Sequence, residues 1–262
     1  MSPSGYYAWI NRAESKRQAE DRTLLKTIKR IYKQCFGIYG SPRIHRELRK
    51  MGINVGRKRV ERLMRDAGLV GRAARIHRRQ PGLHRFYTMH KNHRVDIAAP
   101  NSIDEQWVAD LSYINVNKQW CYLAIVMDLY SRRVIGWSLG RYKNAELTVA
   151  ALRNALKHRS PKQGLIFHTD RGSEYGAELV QVELRRHGIT ASMNRPGICT
   201  DNAHMESFFN SLKTEKLKGI VFKSEHELRM TLNQYINHFY NTRRLHSGID
   251  YMTPVEYETM AA

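Results

Sequence analysis

The sequence predicts a mixed α/β domain behind a small all-helical unit, and three observations carry that prediction. Residues 106–139 hold three consecutive apolar runs separated by short turns, the signature of an antiparallel meander. Residues 144–212 then alternate between amphipathic helical periodicity and short apolar runs, so helices and strands take turns. Before residue 70 the periodicity is helical only, and positive charge dominates. A chain of 262 residues has room for one large domain and a smaller partner.

The first nine residues read as a turn (Ser2-Pro3-Ser4-Gly5) followed by aromatics. Residues 13–34 form a helix with Leu24, Leu25, Ile28, Ile31 and Tyr32 on one stripe. Ser41 is a suitable cap and Pro42 suits a first helical position, so a helix is expected from 42 to about 50, ending at Gly52. After the turn Asn54-Val55-Gly56, a second helix spans about 57–67. Val60, Leu63 and Met64 face inward and Arg57, Lys58, Arg59, Arg62 and Arg65 outward. Helix, short glycine-bearing turn and basic helix make the helix-turn-helix pattern, whose second helix enters the DNA major groove. The arginines and lysine of that helix, with Arg43, are the expected DNA contacts here. Residues 71–98 are rich in Arg and His without periodicity. They read as a basic linker following the DNA backbone, with Arg75, Arg78 and Arg79 as contacts.

The core begins near Pro100. Strands are expected over 106–116, 120–128 and 133–139. Asn144–His158 is a helix, Leu165–His168 a short strand, Gly176–His187 a helix and Ile189–Met193 a strand. A loop over 194–200 leads to a helix beginning at Asp201, read as its N-cap, with Met205, Phe208, Phe209 and Leu212 as the apolar stripe. Residues 224–241 form another helix, and the tail to 262 is mostly loop. Three antiparallel strands followed by alternating helix and strand suit a ribonuclease-H-like sheet flanked by helices. The expected division is a helix-turn-helix region over 1–70, a linker over 71–99, a core over 100–215 and a C-terminal helix and tail over 216–262.

Composition narrows the function. The formal charge of +20 is lopsided: residues 1–98 carry 24 Lys and Arg against 7 Asp and Glu, a net of +17, and the remainder nets only +3. A basic arm on a near-neutral body points to a polyanion partner, here double-stranded DNA. Cys35, Cys121 and Cys199 are far apart with no Cys-x-x-Cys, which argues against a zinc knuckle or a disulfide framework. The cluster His77, His84, His90 and His93 lacks paired cysteines and reads as solvated or phosphate-facing. No signal peptide opens the chain and no apolar run approaches ~18 residues, so a cytoplasmic protein without a membrane partner is expected.

Three carboxylates stand out. Asp110 lies within the first strand. Asp170 follows the apolar strand at its carboxyl end, where open α/β sheets build their sites. Glu206 lies on the helix after the loop, four residues from Asn202 and on its face. Converging acids of this kind repel unless cations neutralise them. Mg²⁺ is the natural partner, and two ions ~3.5–4 Å apart clamp an in-line displacement at phosphorus, with Mn²⁺ as a substitute. Asp128, Glu174 and Asp201 are rivals for a place in the triad, read more simply as a turn former, a loop acid and a cap.

These residues resemble a known family. Trp107-Val108-Ala109-Asp110-Leu111-Ser112-Tyr113-Ile114, His168-Thr169-Asp170-Arg171-Gly172-Ser173-Glu174-Tyr175 and Asp201-Asn202-Ala203-His204-Met205-Glu206-Ser207-Phe208-Phe209 are similar to the integrase-type core of IS-three group insertion-sequence transposases, in their OrfB segment. So are Ser4-Gly5-Tyr6-Tyr7-Ala8-Trp9, Arg62-Leu63-Met64-Arg65 and the run from Tyr235 to Ser247. The resemblance implies that Asp110, Asp170 and Glu206 are the Asp-Asp-Glu triad. It further implies cleavage at element ends and joining of the 3′-hydroxyls to target DNA, assembly as a homo-oligomer on DNA, and an upstream OrfA portion bearing another helix-turn-helix. Asn202, Lys213, Arg243, Arg244 and His246 are the candidate DNA contacts of the core, with surface packing an equal reading for Arg243, Arg244 and His246 and a solvated helix face the simpler one for Lys213. A ribonuclease H and a non-catalytic DNA-binding regulator are the alternatives; the basic helix-turn-helix argues against the first and the intact triad against the second.

Overall fold

A computed structural model describes residues 3, 4, 7, 15–72, 92–94, 97–161, 163–195 and 202–261. The chain divides into two compact units, Met1–Ala73 and Ala74–Ala262.

The first unit is helical. Helix α1 (Lys16–Gln34) starts on a capping box: Ser15 Oγ accepts from Gln18 N–H (3.3 Å) and Gln18 Oε1 accepts from Ser15 N–H (2.8 Å). Its buried stripe is Leu24, Ile28 and Ile31. Helix α2 (Ser41–Lys50) is capped by Gly40, not Ser41: Pro42 pre-sets the first turn, and Ser41 is already helical. Helix α3 (Arg57–Asp66) buries Val60, Leu63 and Met64, as its spacing predicts. Gly52 joins α2 to α3 at φ +76°, a left-handed conformation that favours glycine. Beyond α3, Gly71 passes so close to Gly40 that a Cβ would stand 2.5 Å from the Gly40 nitrogen, so only glycine fits there.

The second unit is built on a five-stranded mixed sheet in the order β3-β2-β1-β4-β5. Strands β1 (Gln106–Val116), β2 (Gln119–Asp128) and β3 (Val134–Gly140) form the expected antiparallel meander. Strands β4 (Ile166–Thr169) and β5 (Thr190–Met193) add on in parallel beside β1. Helix α4 (Ala145–Leu156), the short turn α5 (Ser173–Gly176) and helix α6 (Glu178–Arg186) link them. Trp107, Ala109, Phe167, Leu152, Ala155, Val180 and Leu184 form one core on the face of α4 and α6. Gly136 permits this contact, since a Cβ there would meet the Ala151 carbonyl at 2.4 Å. By alternation, Val108, Asp110, Ser112, Ile114 and Val116 point to the other face.

Helix α7 (Ala203–Leu212) continues into a π-helical turn at Lys213–Leu217, and α8 (Glu225–Tyr235) into another at Ile236–Tyr240. The tail is not mostly loop. A 3₁₀ turn at Ser247–Ile249 and helix α9 (Pro254–Ala261) close the unit. Helix α9 escapes an apolar-pattern reading because what it seats in the fold is an acid. Glu258 is buried and takes Arg133 Nη1 (2.5 Å), Ser131 Oγ (2.8 Å) and Arg159 Nη2. Among the described residues no helix is long and apolar enough to cross a membrane.

Candidate active site

Strand register places two of the three predicted carboxylates. Trp107 pairs with Phe167 and Val108 with His168 in the parallel β1–β4 ladder. Two residues beyond the last pair stand Asp110, still within β1, and Asp170, in the turn after β4 ends at Thr169. Asp110 is buried, and its Oδ1 accepts from Leu111 N–H (2.8 Å). Asp170 Oδ1 accepts from Gly172 N–H (3.0 Å) in the turn after β4. That turn is braced beneath by His168, fully buried, whose Nδ1 meets Ser192 Oγ (2.9 Å) and Nε2 meets Asn194 Oδ1 (2.8 Å).

Helix direction places the third. Strand β4 ends at Thr169, and among the described residues β1 beyond the ladder is met by α7 and, at Val116, by a parallel bridge to Phe222. Asn202 Nδ2 donates to the Ala109 carbonyl (3.0 Å), and Lys213 Nζ stands 5.2 Å from the centroid of the Tyr113 ring. Helix and strand therefore run in the same direction. Asn202, Glu206 and Lys213 share one helical face. Glu206 lies one turn past the Asn202 contact, about 6 Å along the helix, which is the level of Leu111 on the strand. Asp110 thus lies within β1, Asp170 in the turn after the neighbouring β4, and Glu206 on the helix that Asn202 ties to β1. Among the described residues, no three His, Cys, Asp or Glu side chains stand close enough together to hold a metal ion.

The surroundings are electrostatically loaded. Burial pushes the Tyr175 phenol well above its ordinary range, and the charges of Asp110, Asp170 and Glu174 add to that push. Among the described residues its buried hydroxyl has no hydrogen-bond partner, nor has the buried Asn202 Oδ1. Glu174 is buried and pairs with Lys143 Nζ (3.1 Å). It lies against Gly172, where a Cβ would overlap its carboxylate. Burial also pulls the His204 imidazole down to about 4, with Arg132 and Arg94 contributing. The rival Asp128 is a saturated turn former, accepting from Asp104 N–H (2.9 Å), Ser131 N–H (2.8 Å) and Ser131 Oγ (2.8 Å). Asp201 lies outside the described residues; Asn202 stands at the N-cap position of α7.

Comparison with known proteins identifies the family. Integrase core domain families match residues 100–199 and 187–254, and an HTH-like domain family matches residues 18–79. The transposase for insertion sequence element IS904 of Lactococcus lactis is 35% identical, covering 95% of this chain and 98% of its own length. The transposase InsF for insertion sequence IS3A of Escherichia coli is 35% identical over 98% of this chain and 90% of its own. The chain belongs to the IS3 family of insertion-sequence transposases. An uncharacterized 31 kDa protein of insertion element IS600 from Shigella sonnei is 36% identical over 100% of this chain and 98% of its own. Among solved structures, a chain of a simian T-cell lymphotropic virus intasome, determined by cryo-EM in complex with PP2A regulatory subunit B56 gamma, superposes with a TM-score of 0.52. It is 13% identical over 88% of this chain and 74% of that one, and supports the ribonuclease-H-like integrase fold.

Several of this family member's expected DNA contacts fall elsewhere. Arg244 is buried: Nε and Nη2 grip Glu215 (2.8 and 2.6 Å) and Nη2 donates to Ser211 Oγ (3.1 Å). Tyr235 OH donates to the same carboxylate (2.7 Å). His246 is buried edge-on against the Tyr240 ring at 4.6 Å. Asn202 is buried and pins α7 to β1. These three are fold contacts: Arg244 returns to Ser211 and Glu215, His246 packs on Tyr240, and Asn202 bonds to β1. Arg59 and Arg62 tie α3 to α1 through Asp21 (2.6 and 2.5 Å). Arg43 stacks over Tyr39 at 5.5 Å. Arg57, Lys58, Arg65, Lys213 and Arg243 are exposed. Arg75, Arg78 and Arg79 lie outside the described residues.

Proposed function

We propose that this DNA transposase cuts and joins strands through Asp110, Asp170 and Glu206. The observation that supports the reading is the β1–β4 ladder, whose last pair Val108–His168 lies two residues short of Asp110 and Asp170, together with the Asn202 contact that ties the helix bearing Glu206 to β1. The donor set fits hard divalent cations. It is all oxygen, from carboxylates on two adjacent strands and a facing helix, with the unpartnered buried oxygen of Asn202 on that helix face. Asp110, Asp170 and Glu206 would hold two Mg²⁺ ions, for which Mn²⁺ substitutes, and bound ions supply charge neutralisation of the phosphate and acidification of the attacking hydroxyl.

The chain's own side chains do the positioning. Lys213 meets phosphate at the site, and exposed Arg57, Lys58 and Arg65 carry sequence-independent affinity for duplex DNA. In the joining step the 3′-oxygen of a freed element end forms a bond to a target phosphorus. The target's bond from phosphorus to its 3′-oxygen breaks, and the leaving oxygen takes up a proton. The enzyme works as a homo-oligomer on paired ends, with an upstream OrfA portion as partner.

The test uses pre-cut end DNA and a plasmid, with Mg²⁺ or EDTA. Joined product that requires metal and disappears in Glu206→Gln supports the reading. One observation favours a second reading, an accessory DNA-binding subunit: the acids do not stand as a finished metal cage among the described residues. Tight DNA binding without joined product in any metal, with the upstream partner supplied, selects that reading.

A further inference from the structure

The active-site end of the sheet carries aromatic side chains that the fold does not use. Tyr113 and Trp120 are 58% and 51% exposed, although both sit in strands where burial is the rule for rings of their size. They lie diagonally across the β1–β2 ladder and meet edge-to-face with centroids 5.0 Å apart. Tyr113 is three residues beyond Asp110, about 10 Å along the strand. Alternation points its ring to the opposite face from Asp110, and Lys213, just after α7, stands over it with Nζ 5.2 Å from the centroid. Lys118 and Lys218 are exposed in the neighbouring turns, and the acid Glu225 is already paired with Arg141 (3.1 Å) and Arg229 (3.0 Å).

We propose that Tyr113 and Trp120 form a stacking platform for an unpaired base of the DNA strand that enters the site. Exposed rings set among lysines beside a phosphoryl-transfer site fit a nucleotide, which offers a π-face and a phosphate together. A purely apolar partner would leave the Lys213 ammonium desolvated. The proposal rests on the transposase reading only for which strand arrives.

The test uses the full chain, a labelled single strand of about 12 nucleotides, and the duplex of the same sequence. The Tyr113→Ala/Trp120→Ala variant should lose at least about tenfold in single-strand affinity, and Tyr113→Phe/Trp120→Phe should lose little. Duplex affinity should move less than about twofold, since basic side chains elsewhere supply it. In the wild type, single strand should quench tryptophan emission, and Trp120→Phe should remove that quenching without disturbing the fold. Unchanged single-strand affinity in the alanine variant, equal loss on duplex, or no Trp120-dependent quenching overturns the platform. A variant that sediments as a smaller species than wild type also overturns it, by assigning the patch to contact between copies of the chain. Quenching that persists while no metal gives joined product leaves the platform standing and removes the catalytic reading.

Discussion

The two ends of the sheet both collect acids and treat them in opposite ways. At the amino end of β1, Asp104, Asp128 and Glu258 are locked: Arg159 pairs with Asp104 (3.4 Å) and with Glu258, Arg133 pairs with Glu258, and Ser131 bridges Asp128 to Glu258. Further along, Asp110 within β1 accepts the amide of Leu111, Asp170 in the turn after β4 accepts the amide of Gly172, and α7 is tied to β1 at Ala109. The first arrangement is a finished polar network, in which each charge is answered within the fold. The second leaves Asp110 and Asp170 held by backbone amides, and on the proposed function it is these acids that do the chemistry. Residue type is the same at both ends, and partner geometry decides between structure and function.

The largest expected effect tests that division. Glu206→Gln or Asp170→Asn should reduce joined product to the metal-free background, while duplex binding stays largely intact. A large binding loss in either variant, measured by anisotropy, would merge the two roles that the comparison separates.

Next comes the ion pair beneath α7. Arg244→Met should cost about 3–5 kcal/mol, because it strands the buried Glu215 carboxylate. Urea unfolding measures this, and a change below about 1 kcal/mol would mean that the pair is dispensable. The burial of Glu215 and Tyr235 OH in one network also predicts partial rescue by Glu215→Gln in the Arg244→Met background.

The locked end should respond in stability rather than in specific chemistry. Glu258→Ala leaves Arg159 and Arg133 without their carboxylate and should cost about 2–3 kcal/mol. Residual joining activity per folded molecule should be unchanged. A loss of specific activity without loss of stability would show that both ends of the sheet serve the reaction.

The smallest effect lies in the first unit. Arg62 and Arg59 hold the Asp21 carboxyl below its ordinary range. Its folded-state pKa is lowered, so its stabilising contribution is present at neutral pH and fades as pH falls below the ordinary carboxylate range. Asp21→Asn should remove that pH dependence and cost on the order of 1 kcal/mol. Thermal melts at pH 7 and pH 3 read it, and identical pH profiles for variant and wild type would dismiss the tie.

Much of this molecule was legible in its linear order. Periodicity of two and of 3.6 located all five strands and the principal helices, because each element buries one face and therefore writes its period into the chain. The carboxyl-end position of Asp170 was readable from an apolar strand followed by a turn. Helix α9 was not, since its anchor is the acid Glu258 rather than an apolar stripe. The buried polar side chains were misassigned for a related reason. Arg244, His246 and Asn202 look like surface groups in sequence, and only their partners Glu215, Tyr240 and the Ala109 carbonyl make burial affordable.

The sequence by itself determined the elements, their order, the basic first third and the identity of the acids. Those depend on local propensity, spacing and charge, which a single chain carries without reference to distant residues. Tertiary structure alone decided which acids are neutralised within the fold and which arginines pack into it. Those outcomes depend on contacts between residues as far apart as Ser131 and Glu258, and a charge acquires its role only from what surrounds it.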